Sequence, residues 1–149
     1  MVVRPAVASD AADAARIIGD ALAEHGLSFE PEGRDADVAT FGAKPEHDDL
    51  VAEIGDRPIG VGSVGPHGDP GVAWISKLFV ERDARGRGVG RALLEALHAA
   101  ARARGYASVG LRTRVVFREA VALYESAGYV RRADPAPLAP GDVVYFRAL

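Results

Sequence analysis

The residues best suited to chemistry are Arg85-Gly86-Arg87-Gly88-Val89-Gly90, followed at once by Arg91. Glycines let a backbone approach a ligand closely and take conformations closed to other residues. Where a helix starts at such a turn, its first residues offer unpaired N–H groups and the positive end of a dipole. Arg85, Arg87 and Arg91 add cationic side chains, which completes a cradle for a diphosphate. Two common nucleotide motifs are excluded by inspection. A Gly-x-Gly-x-x-Gly fingerprint starting at Gly86 needs glycine where Arg91 stands, and starting at Gly88 needs it where Leu93 stands. A triphosphate loop needs Gly-Lys-Ser/Thr, whereas the lysines are Lys44 and Lys77. By itself the cluster is equally compatible with a tight strand-to-helix connection.

The turn is positioned by the elements on either side of it. Val72–Val80 is apolar on nearly every residue and reads as a strand buried on both faces. From Gly88 to Arg104, Val89, Leu93, Leu97, Ala100 and Ala101 form a helical stripe, with Arg91, Glu95, His98 and Arg102 toward the other side. Gly105 ends this helix, and strand Ala107–Thr113 follows Tyr106. A second helix, Phe117–Ala127, ends the same way at Gly128 and Tyr129. The last strands are Tyr129–Ala133 and Val143–Ala148, separated by a proline-rich loop over 134–141.

Upstream, Val2–Arg4 reads as a short strand, and Ser9 caps an amphipathic helix reaching about His25. Residues 26–48 are polar, acidic and broken by glycine and proline, with a short helix expected within 34–42. Leu50–Ile54 and Pro58–Val64 form a hairpin through Gly55-Asp56-Arg57. Hairpins mixed with helical crossovers predict an α/β (α+β) domain over 1–149, with helices on both faces of a mixed sheet.

With a net charge of −3, the chain lacks the basic excess of a nucleic-acid binder. The absence of cysteine removes disulfides, thiolate metal sites and a cysteine nucleophile. His25, His47, His67 and His98 show no metal-ligand spacing and read as surface residues, so no metal is expected. The acids Glu24, Glu30, Glu32, Asp35, Asp37, Glu46, Asp48 and Asp49 read as a solvated face, or else as a rim attracting a cationic acceptor. No apolar run is long enough to span a bilayer and no signal peptide opens the chain, so a cytoplasmic protein is expected.

Leu78-Phe79-Val80 followed by Arg85-Gly86-Arg87-Gly88-Val89-Gly90-Arg91 resembles the acetyl-CoA signature of the GNAT superfamily of N-acetyltransferases, Arg/Gln-x-x-Gly-x-Gly/Ala. Ala120-Val121-Ala122-Leu123-Tyr124-Glu125-Ser126-Ala127-Gly128-Tyr129 is similar to the family's Ala-x-x-Leu-Tyr-x-x-x-Gly-Phe/Tyr helix. The order of elements matches over nearly the whole chain, most weakly across 26–48. The resemblance implies a mostly antiparallel sheet in which strand 72–80 splays from strand 107–113. It further implies that acetyl-CoA is the cosubstrate, with its pyrophosphate on the glycine turn and its pantetheine arm along the backbone of Leu78, Phe79 and Val80.

By the same resemblance Tyr124 is the acid that protonates the departing thiolate, although its position alone favours a core aromatic packed on the sheet. The implied acceptor is a small-molecule or peptide amine entering between 26–48 and the 134–142 loop; homodimerisation stays open. Two residues depart from the family pattern. Phe117 stands where many members carry a cofactor-contacting Asn, and strand 72–80 has no glutamate base. Glu53, or a water relayed past Ser76, is the alternative base, while Glu81 reads as solvated. A longer acyl-CoA and a weakly catalytic CoA-binding regulatory module are the alternative functions.

Overall fold

In the computed structural model, which describes Met1 to Leu149, the strands are β1 (Val2–Pro5), β2 (Asp48–Ile54), β3 (Arg57–Pro66), β4 (Val72–Val80), β5 (Ser108–Arg114), β6 (Val130–Ala133) and β7 (Asp142–Ala148). The helices are α1 (Ala11–Ala23), α2 (Val89–Ala103) and α3 (Arg118–Ser126). A 3-10 turn at Ala36–Thr40 supplies the short helix expected in the acidic segment. The strands form one sheet in the order β1-β2-β3-β4-β5-β7-β6, antiparallel throughout except where β4 meets β5.

Successive strand residues point to opposite faces, and this alternation builds two cores. On one face Ile17, Ile18 and Leu22 of α1, with Val38 and Phe41, cover Val51 and Val61. On the other, Leu93, Leu94, Leu97 and Ala101 of α2 and Tyr124 of α3 cover Leu50, Ala52, Ile75, Val109 and Leu111.

The parallel ladder is short. It runs from Val72 opposite Ser108 to Ile75 opposite Leu111 and then stops. Beyond that point β4 stays with β3, and β5 stays with β7. The parting coincides with a bulge. Ser63 faces Ser76 but Val61 faces Phe79, so β4 carries an extra residue there. Lys77 lies in this interval with φ at 58°, the only non-glycine residue at positive φ. A bulge of this kind bends its strand and raises the local twist. The Lys77 ammonium is 2.6 Å from an Asp37 oxygen, which ties the bend to the Ala36–Thr40 turn.

Three sequence expectations are corrected here. Strand β4 is not buried on both faces: Ala73 and Ile75 are buried, while Ser76 to Val80 are only partly so, because their neighbouring strand has turned away. The acids of 26–48 are not a simple solvated face. Asp49 accepts the Gly42 N–H at 2.8 Å, Asp35 accepts the Glu30 N–H at 2.8 Å, and Asp48 pairs with Arg104. They hold an irregular segment whose backbone lacks ladder partners.

His98 is likewise not a surface residue, being 3 % exposed. Leu94, Leu97, His98 and Ala101 share helical spacing and face the sheet together. Its Nε2 meets the Tyr129 hydroxyl, and its Nδ1 lies 3.2 Å from Arg147. No helix of the protein is long and apolar enough to cross a membrane.

Burial, with Arg147 and Arg102 nearby, pushes the His98 imidazole down to about 4. Histidine in an unfolded chain titrates near ~6.5, so the folded state binds fewer protons between these values. The stability tied to neutral His98 is therefore complete above about pH 6.5 and lost as pH falls toward 4, to a limit of about 3 kcal/mol. Melting temperatures measured from pH 7 to 4.5 should fall more steeply for the wild-type chain than for His98→Gln. Parallel curves would contradict a buried, neutral imidazole.

Candidate functional site

The fork between β4 and β5 opens a cleft of about 800 Å³. Its walls are the C-terminal half of β4, the glycine turn with the start of α2, the chain from Val116 to Tyr124, and the last turn of α1. Of the residues expected from sequence, Leu78, Phe79, Val80, Arg85, Gly86, Gly88, Val89, Gly90, Arg91 and Tyr124 line it. Arg87 does not. It is exposed, lying between two glycines whose left-handed backbone carries its side chain to solvent.

The glycines of the turn serve different ends. Gly86 and Gly88 have φ of 76° and 81°, values that L side chains rarely adopt. Gly90 instead sits close to α3, where a Cβ would lie 3.3 Å from the Leu123 side chain and oblige it to shift by a few tenths of an ångström. The outcome is a run of uncommitted donors. From Gly86 to Arg91 no backbone N–H bonds to another backbone group, and the pattern resumes only where Ala92 N–H reaches the Gly88 carbonyl at 3.0 Å. These groups and the dipole of α2 converge on one place, which is the requirement for holding a phosphate.

Side chains extend the positive field. Arg82, Arg85, Arg91 and Arg118 line the cleft against two acids, Glu24 and Glu119. Arg85 is already engaged: its Nε donates to the Val80 carbonyl at 2.9 Å, and its Nη1 lies 2.8 Å from Glu24. Glu119 approaches the same guanidinium at 3.8 Å. Glu81 N–H bonds to Ile59 on β3, so by strand alternation the polar groups of Val80 and Leu78 face the cleft.

The position of Tyr124 is compatible with both readings that the sequence allows. Its ring belongs to the core and the residue is 5 % exposed. The residue nevertheless lines the cleft, and its hydroxyl is not among the sealed polar atoms without partners, which are His47 Nδ1 and Ser63 Oγ. Burial raises the phenol above its ordinary range, so the proton is firmly held at neutral pH. Phe117 also lines the cleft, edge-on to His25 at 4.9 Å and to Phe79 at 6.0 Å, and makes an aromatic wall where an amide had been expected.

The candidate carboxylate base lies elsewhere, and Glu81 differs from its sequence reading. Glu53 pairs with Arg4 at 3.1 Å and is outside the cleft lining. Glu81 is not solvated, for it accepts from Arg16 and from Arg57, the latter at 2.9 Å. Glu24 and His25 are cleft residues that no motif marks. They meet Arg85 and Phe117 only because α1 lies across the mouth of the fork.

The mixed sheet thus forks between its parallel strands, with an anion cradle at the open end. The chain belongs to the acetyltransferase (GNAT) family, whose model matches residues 17–129. It is 33 % identical over 104 residues to the IAA acetyltransferase of Azospirillum brasilense, covering 70 % of this chain and 68 % of that one. A GNAT-family acetyltransferase from Staphylococcus aureus shares the fold with a TM-score of 0.87 at 15 % identity, over 99 % of this chain and 98 % of that one. A Salmonella typhimurium protein, in a structure with its cofactor acetyl-CoA, gives 0.75 at 20 % identity over 100 % and 92 % of the two chains.

The cradle can be tested at Gly88. Aspartate is among the residues that best tolerate a left-handed backbone, so Gly88→Asp chiefly adds negative charge where phosphates would dock. The variant should keep its circular dichroism spectrum and lose calorimetric binding of coenzyme A. Near-wild-type affinity in the folded variant would place the phosphates elsewhere.

Proposed function

We propose that the protein transfers an acetyl group from acetyl-CoA to a primary amine by direct attack in a ternary complex. The observation that carries this reading is the unbroken run of free N–H groups from Gly86 to Arg91, at the open end of a fork whose wall holds Tyr124. Acetyl-CoA supplies a thioester whose carbonyl an amine attacks and whose thiolate leaves. The free N–H groups and Arg91 hold the pyrophosphate. The Leu78 backbone and the Val80 N–H, on the edge turned away from β3, hydrogen bond to the amides of the pantetheine arm as a strand neighbour would, while the Val80 carbonyl stays with Arg85 Nε. Phe117 and Phe79 pack against that arm and exclude water.

Tyr124 then donates its proton to the departing sulfur. In water a thiol near ~8.5 is the stronger acid than a phenol near ~10, so this transfer is uphill. Burial raises Tyr124 further, but a thiolate forming against the same dry wall loses hydration as well. The two shifts have the same sign, and the gap between donor and acceptor need not widen. Glu53 is held by Arg4 away from the cleft, so the proton of the amine leaves through water passing Ser76. The acceptor enters from the α1 side, between residues 26–48 and the 134–142 loop.

Tyr124→Phe keeps the ring in the core and removes only the hydroxyl, which has no protein partner to lose. General acid catalysis typically contributes about 10²–10⁴-fold, and the single-turnover rate at saturating acetyl-CoA should fall within that range. Acetyl-CoA affinity and melting temperature should change little. A single-turnover rate within about threefold of wild type in the folded variant would remove Tyr124 from the mechanism.

A further inference from the structure

On the face of the sheet that α1 covers, the apolar layer of Val51 and Val61 gives way to a polar row. Asp49 and Ser63 lie two residues from these valines along β2 and β3, so alternation keeps them on the same face. Ser76 follows Ile75, which belongs to the opposite core, and therefore joins them. The ladders set the three side by side, Asp49 opposite Ser63 and Ser63 opposite Ser76.

The acids among the buried residues are Asp10 and Asp49. Arg4 clasps Asp10, whereas Asp49 meets no cation: its Oδ2 accepts the Gly42 N–H at 2.8 Å, and its Oδ1 takes no bond within the protein. Ser63 is fully buried, yet its Oγ has no hydrogen-bond partner. Leaving a hydroxyl in that state is costly, and each such group calls for a reason. Ser76 is only partly buried. It is the first residue of β4 beyond the last parallel pair, Ile75 with Leu111, and Leu78 two residues on lines the cleft. The row thus runs from the apex of the fork to a carboxylate inside the fold.

Two other ionisable groups face it. Lys77 Nζ lies 3.4 Å from Ser76 Oγ and is held by Asp37. The His47 ring stands over Gly65, the next residue of β3 on this face. The carboxylates of the cleft itself, Glu24 and Glu119, both stand against Arg85 at the cradle.

Building on the acetyl-transfer reading, we infer that Asp49 takes a proton from the acceptor amine, relayed by the hydroxyls of Ser76 and Ser63. Residues opposite each other on antiparallel strands have Cβ atoms about 4.5–5.5 Å apart, within reach of a hydroxyl that turns about one bond. Ser63 Oγ is committed to neither neighbour, so it is free to accept from Ser76 and give its own hydrogen to Asp49 Oδ1. An ammonium loses one proton along this row, and its nitrogen then bonds to the thioester carbon as the carbon–sulfur bond breaks. A second proton leaves nitrogen as the amide forms and replaces, through water, the one that Tyr124 gave to sulfur. Asp49 returns its proton along the row to water before the next turnover.

Thiol release at saturating acetyl-CoA is measured with phenethylamine, ethanolamine and alaninamide, and the fastest acceptor is carried forward. Asp49→Asn, which still accepts from Gly42, should lower kcat/KM about 100-fold at about pH 7, within the range of general base catalysis. Ser63→Ala should lower it about tenfold, the scale of one hydrogen bond, with no loss of melting temperature. Both deficits should shrink to within about threefold near pH ~10, where much of a primary amine is already neutral. A packing defect would persist there. His47→Gln should stay within about twofold of wild type throughout, and calorimetry should give the same acetyl-CoA affinity for every protein.

A rate within about threefold of wild type for Asp49→Asn at neutral pH, a deficit that persists at high pH, or a loss carried by His47→Gln instead would each overturn the inference. If acetyl-CoA does not bind, or none of the three amines is acetylated, the acetyl-transfer reading falls and the relay with it. Active wild-type protein beside an unaltered Asp49→Asn profile removes the relay alone.

Discussion

Much of this molecule depends on one interruption, the end of the β4–β5 ladder after Ile75 and Leu111. Backbone donors and acceptors are normally paired when buried, so a central strand that abandons its neighbour must either be wetted or meet a ligand. Here the unpaired edge of β4 becomes the wall of the cleft. The parting is not a loose end, because β4 remains bonded to β3 across the bulge and Lys77 is fixed by Asp37. The irregular segment between α1 and β2 thus helps to hold the strand in its bent course. Altering that segment would reach the fork itself as well as its surroundings.

The cleft divides its tasks along its length. Its open end is built from backbone N–H groups and arginines, and it suits a polyanion. Deeper in, Phe79, Phe117, Leu123 and Tyr124 form a wall with little charge. Tyr124 joins the two regimes because the packing that fixes its ring also sets the acidity of its hydroxyl. Rigidity and protonation state therefore come from the same contacts, with no partner needed to orient the phenol.

What the sequence reveals follows from how local each determinant is. The glycine turn and the Leu123-Tyr124 helix are contiguous, and their backbone demands can be read from residue order. Strand and helix limits fall close to expectation for the same reason. His98 was misplaced because a helix stripe shows which side is apolar, and a sheet as wide as this one also buries a polar residue at the stripe's edge. Glu81 looked solvated beside its neighbours in sequence, yet Arg16 and Arg57 reach it from α1 and β3. Glu53 looked available until β1 brought Arg4 alongside. Pairings between distant segments leave no local trace, and they decide which acids are free.

The Arg85–Glu24 pair gives the site an internal counter-ion. A bare guanidinium among free N–H groups would attract any abundant polyanion in its surroundings, including inorganic phosphate and nucleic acid. With Glu24 held against it, that attraction is largely cancelled at long range, since opposite charges at contact leave mainly a dipole. An anion that is to use the Arg85 guanidinium must then compete with that carboxylate, and a weakly bound one gains little by the exchange. A ligand anchored along the whole fork does gain, because its remaining contacts support the displacement. The screening of this guanidinium is thus carried within the fold, by a carboxylate that α1 brings to the mouth of the cleft.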